Sequence, residues 1–261
     1  MLHKLFIRIA YIPELYRKYK ILREHCLLDD RISSRELKEY LFACACMGRH
    51  HGYLRALREG MCVDAAGNPI PWYTYPAIEQ LSKWDFSESE VFEYGCGNST
   101  RWWAERAKRV VSVESSREWY NKILESSTLP DNVQPILSPF EEGDGEAARR
   151  AYIDAINAFA EFDIIVIDGV TADKTRLDCA RAALNHLKKG GMIILDNADW
   201  HPQTSRLLRE AGLLEIDYCG NGPLNTYTET TSLFLSEGFR VSPRNDIHPG
   251  YAIGGLQVQI G

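Results

Sequence analysis

The 261-residue chain lacks the roughly 20-residue apolar run that a membrane-spanning helix needs. Apolar stretches such as Ile164–Ile167 and Met192–Leu195 fall far short of it. It also lacks an excess of positive charge: 30 Lys and Arg against 36 Asp and Glu leave a net charge of −6, which argues against nucleic acid as a partner. The seven cysteines, at positions 26, 44, 46, 62, 96, 179 and 219, lack the dense, regular spacing of a disulfide scaffold and read as reduced. Cys44, Cys46, His50 and His51 do not form a zinc pattern, because Cys44 and Cys46 point to nearly opposite sides of a predicted helix. The first residues, MLHKLFIRIAYIPELYRKYK, mix cations into the apolar positions, where a secretory signal would segregate them, so a cytosolic chain is expected. No internal repeat or low-complexity tract is present. What remains, 45% hydrophobic and 25% charged residues, is the composition of a globular protein with a full core.

The chain changes character along its length. Leu2, Leu5, Ile9, Ile12, Tyr16 and Tyr19 recur at helical spacing, and a second helix is expected from Ser34 to about Glu59, ending at Gly60. Residues 1–70 therefore read as a helical N-terminal extension, with roles as lid, dimer contact or basic surface anchor left open. From residue 71 to 261, after a turn-rich aromatic connection, strands alternate with helices. Strands are expected at Val91–Tyr94, Arg109–Glu114, Val133–Leu137, Phe162–Asp168 and Gly191–Asp196. Helices are expected at Thr100–Ala107, Arg117–Ser126, Glu146–Ala160, Lys174–Leu187 and Gln203–Ala211. Leu213–Cys219 and Thr231–Leu235 have no helical segment between them and read as a terminal antiparallel hairpin. The expected architecture is α/β, a doubly wound and mostly parallel sheet.

The segment VFEYGCGNST at 91–100 carries the chemistry. A strand runs into Gly95 and Gly97, which let the backbone turn and approach a ligand, and the free N–H groups of the helix start favour anionic oxygens. Glu114 closes the next strand, where a carboxylate can accept both hydroxyls of a ribose. A dinucleotide fingerprint would place a third glycine where Thr100 stands, which disfavours an NAD-type oxidoreductase. A cofactor-binding regulatory module without turnover remains a second alternative.

With Glu93 two residues before Gly95, the pattern E-x-G-x-G resembles motif I of class I S-adenosylmethionine-dependent methyltransferases. EYGCGNSTRWWAERAKRVVSVE and the upstream PWYTYPAI look like a bacterial subgroup of them. The resemblance covers roughly residues 70–240 and implies a seven-stranded sheet with the terminal hairpin as its antiparallel part. It implies S-adenosylmethionine as cofactor, with Gly95 and Gly97 against the methionine part, Glu93 helping to hold it, and Asn98 and Ser99 in the same turn. Glu114 would hold the ribose, Ser115 would approach the adenine and Asp168 would face the sulfonium side. Ser99 replaces the family's third glycine and is expected to cap the following helix.

Methyl transfer needs a nucleophile aligned with the methyl group and a group to take its proton. Asp168, Asp196 and His201 are the candidates, at the ends of the fourth and fifth strands. Asp168, Asp196 and Asn197 also resemble the three positions by which catechol-type O-methyltransferases hold magnesium, although Lys174 lies six residues beyond Asp168, further than that family's lysine. Trp72, Tyr73, Tyr75 and Trp200 would line an acceptor pocket or pack the lead-in segment onto the sheet, and the loop Gly220–Asn225 would edge the pocket. The segment after the fourth strand reads Asp168-Gly169-Val170-Thr171, unlike enzymes acting on base amino groups, so the expected acceptor is a hydroxyl on a small molecule or glycan. Residues 1–60 hold 12 Lys and Arg against 7 Asp and Glu, so the acidity belongs to the catalytic part and the extension alone is basic.

Overall fold

The computed structural model describes residues 34–126, 128–140, 144–170, 174–245 and 252–255. The expected helix around Leu2–Tyr19 lies outside the described residues. The chain divides into two compact units, Met1–Cys46 and Met47–Gly261. In the first, the described part is a helix, α1, Ser34–Ala45. The single helix expected to reach Glu59 is not continuous: a π-helical turn spans Cys46–His50, Gly52 takes a left-handed φ of 85°, and α2 covers Tyr53–Glu59 before Gly60 ends it.

The second unit is built around β2 (Glu90–Tyr94), β3 (Arg109–Glu114), β4 (Val133–Leu137), β5 (Phe162–Ile167), β6 (Leu187–Leu195), β7 (Leu214–Asn221) and β8 (Thr228–Leu235). Their order is β4-β3-β2-β5-β6-β8-β7. The first five run parallel, while β8 is antiparallel to both β6 and β7. A two-stranded ribbon pairs β1 (Trp84–Asp85) with β9 (Ser242–Pro243). This is the expected doubly wound seven-stranded sheet with its terminal hairpin. Helix α3 (Tyr75–Ser82) leads into the sheet, and its connections carry α4 (Asn98–Ala104), α5 (Arg117–Ser126), α6 (Glu146–Ile153), α7 (Thr175–Leu184) and α8 (Pro202–Glu210). The helix expected to run through Ala160 changes to a 3-10 turn at Asp154, and β6 begins at Leu187 where helix was expected.

The period-two pattern of the strands explains how both faces are buried. Phe92, Tyr94, Ile165, Ile167, Ile193 and Leu195 face one way, into a core shared with Tyr152, Cys179, Ala183 and Leu208. Val91, Ile164, Val166, Met192 and Ile194 face the other, against Trp102, Trp103, Ile78 and Leu81. Glu93 shares the parity of Val91, so it is forced into this second, apolar side. Register places Tyr94 beside Val113 and Ile167, and Ile167 beside Leu195, so the carboxyl ends of β2, β3, β5 and β6 finish level. Between β2 and β5 the chain reverses its direction of progress across the sheet, which is where an open α/β fold presents its binding crevice.

Trp103 is fully buried, packs edge-on against Phe86 at 5.2 Å and donates from Nε1 to the Tyr73 hydroxyl at 3.3 Å. Trp103→Ala is expected to cost about 3–5 kcal/mol in urea denaturation, whereas the exposed Leu124→Ala should cost well under about 1 kcal/mol.

Candidate active site

At the level carboxyl ends lies a cavity of about 710 Å³. Its lining contains Gly95, Gly97, Asn98, Ser99, Glu114, Ser115, Asp168, Asp196 and Asn197, nine residues the sequence pattern singled out. The turn after β2 closes tightly on the end of β5. Gly95 has φ of 104°, and a Cβ there would meet the Asp168 carbonyl oxygen at 3.1 Å, so conformation and packing both require glycine. Gly97 is different: its backbone is extended, and a Cβ would make only ordinary contacts, 3.7 Å to Ser99 Oγ and 3.9 Å to Trp119 Nε1. Within the protein nothing demands glycine at 97, and the space a side chain would fill belongs to the cavity.

Glu93 does not reach the cavity. It is fully buried beneath the turn, where its Oε2 accepts from the Thr100 hydroxyl at 2.5 Å and the Ser112 hydroxyl at 3.1 Å. The Gly97 amide donates to Thr100 Oγ1 at 3.0 Å, and the single Ser112 hydroxyl proton is shared between Glu93 and the Gly95 carbonyl at 2.9 Å. Glu93 therefore anchors the turn from below. Burial pushes its carboxyl up to about 7 against the opposing pull of the hydroxyls. Helix α4 starts at Asn98 with Gly97 as its cap position, so the expected capping role of Ser99 falls instead to Thr100.

Glu114 ties the same turn to β3. Its Oε2 accepts from the Cys96 amide at 2.8 Å, and its Oε1 from the Ser116 amide at 2.7 Å and the Ser115 hydroxyl at 3.4 Å, which leaves a lone pair on Oε2. Burial raises its pKa, with the backbone amides acting the other way. Trp119, which the pattern reading did not single out, lines the cavity beside Ser115 and donates from Nε1 to the Cys96 carbonyl. An aromatic one turn into the helix that follows the acidic strand end was the available signal.

At the other end of the cavity, Arg176 organises the strand termini. It is 2% exposed, and its guanidinium donates to the Gly169 carbonyl at 2.9 Å, to the Asp196 carbonyl and to Asn197 Oδ1 at 3.1 Å, and pairs with Asp168 at 3.5 Å. Asn197, with φ of 50°, is the one non-glycine residue of positive φ among the described residues. That turn sets its side chain between Arg176 and Glu229, to whose Oε2 its Nδ2 donates at 2.5 Å. Asp196 Oδ1 accepts from Thr231 at 2.7 Å. The expected magnesium donor set does not fit: the Asn197 oxygen already receives a guanidinium N–H, and Arg176 supplies the positive charge beside Asp168. Among the described residues no group of three or more His, Cys, Asp and Glu is arranged to hold a metal ion.

Three carboxyls share this end. Burial first, and Asp196 next, hold Asp168 well above the carboxylate range. Burial pushes Asp196 up to about 6, partly offset by Arg176, Thr231 and a hydrogen bond with Asp168. Burial and Asp196 together raise Glu229 to about 7. Arg176 and Glu229 lay outside the sequence reading, because each sits in a segment with no motif and arrives through tertiary packing. His201 is not among the residues lining the cavity; burial and the neighbouring Arg176 lower it to about 4, so it is neutral and cation-averse. Of the candidate aromatics, Trp72 and Trp200 line the cavity, while Tyr73 and Tyr75 are buried in the core at the start of α3. Leu224 and Asn225 of the expected edging loop also reach it.

A doubly wound sheet with a glycine turn, an acidic strand end and a cavity at the switch point defines a nucleotide-cofactor domain. Residues 92–198 match the family model described as a methyltransferase domain. The matched segment is a methyltransferase domain of the class I, S-adenosylmethionine-dependent type. Similar solved structures include the precorrin-6y C5,15-methyltransferase of Geobacter metallireducens, with 14% identity, 61% of this chain and 85% of that chain covered, and a TM-score of 0.43. The N-methyltransferase NodS of Bradyrhizobium japonicum shows 14% identity over 72% of this chain and 93% of that chain, with a TM-score of 0.42. An rRNA methylase of Streptococcus thermophilus shows 17% identity over 62% and 95%, with a TM-score of 0.43. No curated protein matches the chain.

The pKa of Glu229 is raised from 4.5 to about 7 on folding, so its contribution to stability is present below pH ~4.5 and is lost as pH rises through ~7. The stability of Glu229→Gln relative to the parent should therefore climb between pH ~5 and ~7.5 in urea denaturation. A constant offset across that range would remove Glu229 from the coupled group.

Proposed function

We propose that the protein transfers a methyl group to a hydroxyl of a small molecule or glycan, with the cofactor on the Gly95–Ser99 turn and the acceptor toward Asp196. When bound, S-adenosylmethionine supplies an electrophilic methyl carbon, which passes to the acceptor oxygen as its bond to sulfur breaks and a neutral thioether remains. The observation that carries this reading is the division of one cavity between two kinds of surface. One end offers the bare Gly97 backbone, Glu114 with a free lone pair on Oε2, and Ser115. The other gathers Asp168, Asp196 and Glu229 around a single guanidinium.

Glu114 would receive the ribose hydroxyls, Ser115 would face the adenine, and Asn98 and Ser99 would border the amino-acid part. Glu93 serves this site from below, by fixing Gly97 through Thr100. Asp168 and Asp196 act as a pair. With one proton shared between them near neutral pH, the pair can accept a second from the acceptor hydroxyl as its oxygen attacks. Because Arg176 supplies the local positive charge, the proposed transfer does not draw on magnesium. His201 would then be a neutral neighbour of Arg176 and not the base. The first 70 residues are proposed to act as lid, dimer contact or basic surface anchor. Among the described residues no helix is long and apolar enough to cross a membrane, and a cytosolic site of action agrees with the free cysteines there.

Titration calorimetry with S-adenosylmethionine and with NAD tests the cofactor assignment, and binding of NAD alone would overturn it. Glu114→Ala should weaken S-adenosylmethionine binding by about 1–3 kcal/mol, the cost of losing a charged acceptor. Asp196→Asn should keep cofactor affinity within about threefold while lowering transfer of labelled methyl to a metabolite extract by at least about 100-fold. Transfer should continue in the presence of a chelator.

A further inference from the structure

Large aromatic side chains that are substantially exposed are scarce in the unit from Met47. Among its described residues they are Trp72 at 43%, Trp200 at 49% and Tyr227 at 49%, and all three line the same cavity. Trp200 and Tyr227 lie with ring centroids 6.0 Å apart and planes at 34°, presenting neighbouring faces at the mouth. Trp72 is held by its Nε1, which donates to Asn225 Oδ1 at 3.0 Å. Asn225 Nδ2 in turn donates to Glu229 Oε1, so the aromatic rim and the acidic floor are joined by a buried amide. Exposed indole and phenol faces at a cavity mouth suit the C–H face of a ring.

The charge of the floor is the second observation. Four carboxyls line the cavity, Glu114, Asp168, Asp196 and Glu229, against one guanidinium. That guanidinium is spent: Arg176 is directed at the Gly169 and Asp196 carbonyls, at Asn197 and at Asp168. An anionic acceptor would find no free cation among these residues and would face three carboxyls. A cationic one would relieve their mutual repulsion. Glu229 is the carboxyl tied through Asn225 to the rim, and each of its oxygens holds one amide donor and keeps a further lone pair.

We infer that the acceptor is a ring bearing a protonated amine beside the hydroxyl it presents, an amino sugar in chemical class, with Trp72, Trp200 and Tyr227 covering the ring face and Glu229 receiving the ammonium. This rests on the hydroxyl-directed reading above. It also explains why oxygen is the nucleophile: an ammonium paired to Glu229 has no lone pair to offer, while the hydroxyl proton can pass to the Asp168–Asp196 pair.

Three probes with one ring shape and different charge test it: glucosamine, glucose and glucuronate, titrated into protein saturated with S-adenosylhomocysteine. Glucosamine should bind at least about tenfold more tightly than glucose, and glucuronate more weakly than either. Glu229→Gln should abolish the preference for glucosamine over glucose. Trp200→Ala, at a half-exposed position outside the core, should weaken both sugars alike and serves as the second variant if Glu229→Gln does not fold. Equal affinity for glucosamine and glucose, a preference for glucuronate, or no glucosamine binding up to its solubility limit overturns the inference. Failure of S-adenosylhomocysteine itself to bind would instead overturn the methyl-transfer reading beneath it.

Discussion

Three acidic side chains converge where the carboxyl ends of β5 and β6 meet the amino end of the antiparallel β8, and the site can exist only because Arg176 is buried among them. Desolvation of a carboxylate costs several kcal/mol unless a partner or a proton offsets it. Here one guanidinium reaches the backbone at Gly169 and Asp196, the side chain of Asn197 and the carboxylate of Asp168. It thereby fixes the turns after two neighbouring strands and supplies the fixed positive charge at that end of the cavity. What it does not neutralise is carried as protons, and the raised pKa values of Asp168, Asp196 and Glu229 express this.

The opposite end of the cavity is built on another principle. Glu93 and Glu114 brace one glycine turn from two sides, Glu93 through Thr100 and Ser112, Glu114 through the amides of Cys96 and Ser116. The turn is rigid while the surface it shows to the cavity is mostly backbone. A rigid, bare turn suits a cofactor that must be held in one pose, whereas the aromatic mouth offers broad faces suited to an acceptor. The two kinds of surface share one crevice because the parallel strands that make it end at one level.

Much of this was legible in the sequence, for reasons that can be stated residue by residue. Runs such as RVVSVE and FDIIVI are β-branched and flanked by turns, so their strands appear within a residue of where they were expected. Gly95, Gly97 and Glu114 could be singled out as cavity-lining residues because their signal is local: a turn and a strand end that any chain must build from contiguous residues. Ser99 was misassigned as the cap because the helix starts at Asn98, one residue before it. Glu93 was expected against the cofactor, yet strand parity sends it to the opposite side of the turn, where it acts as a brace. The magnesium reading followed the pattern Asp168, Asp196, Asn197 and could not foresee that an arginine from α7 would occupy their centre.

The sequence by itself therefore determined the alternation of elements, the glycine turn and the sign of the charge, since each depends on residues close together in the chain. Tertiary structure alone decided which side chains share the far end of the cavity. Arg176 comes from a helix, Glu229 from an antiparallel strand and Asn225 from the hairpin loop, and they meet only because β8 runs back beside β6. Whether three carboxyls bind a metal, share protons or face a cation depends on what folding puts between them. Their spacing along the chain is silent on that, because long-range contacts leave no local period for a pattern to reveal.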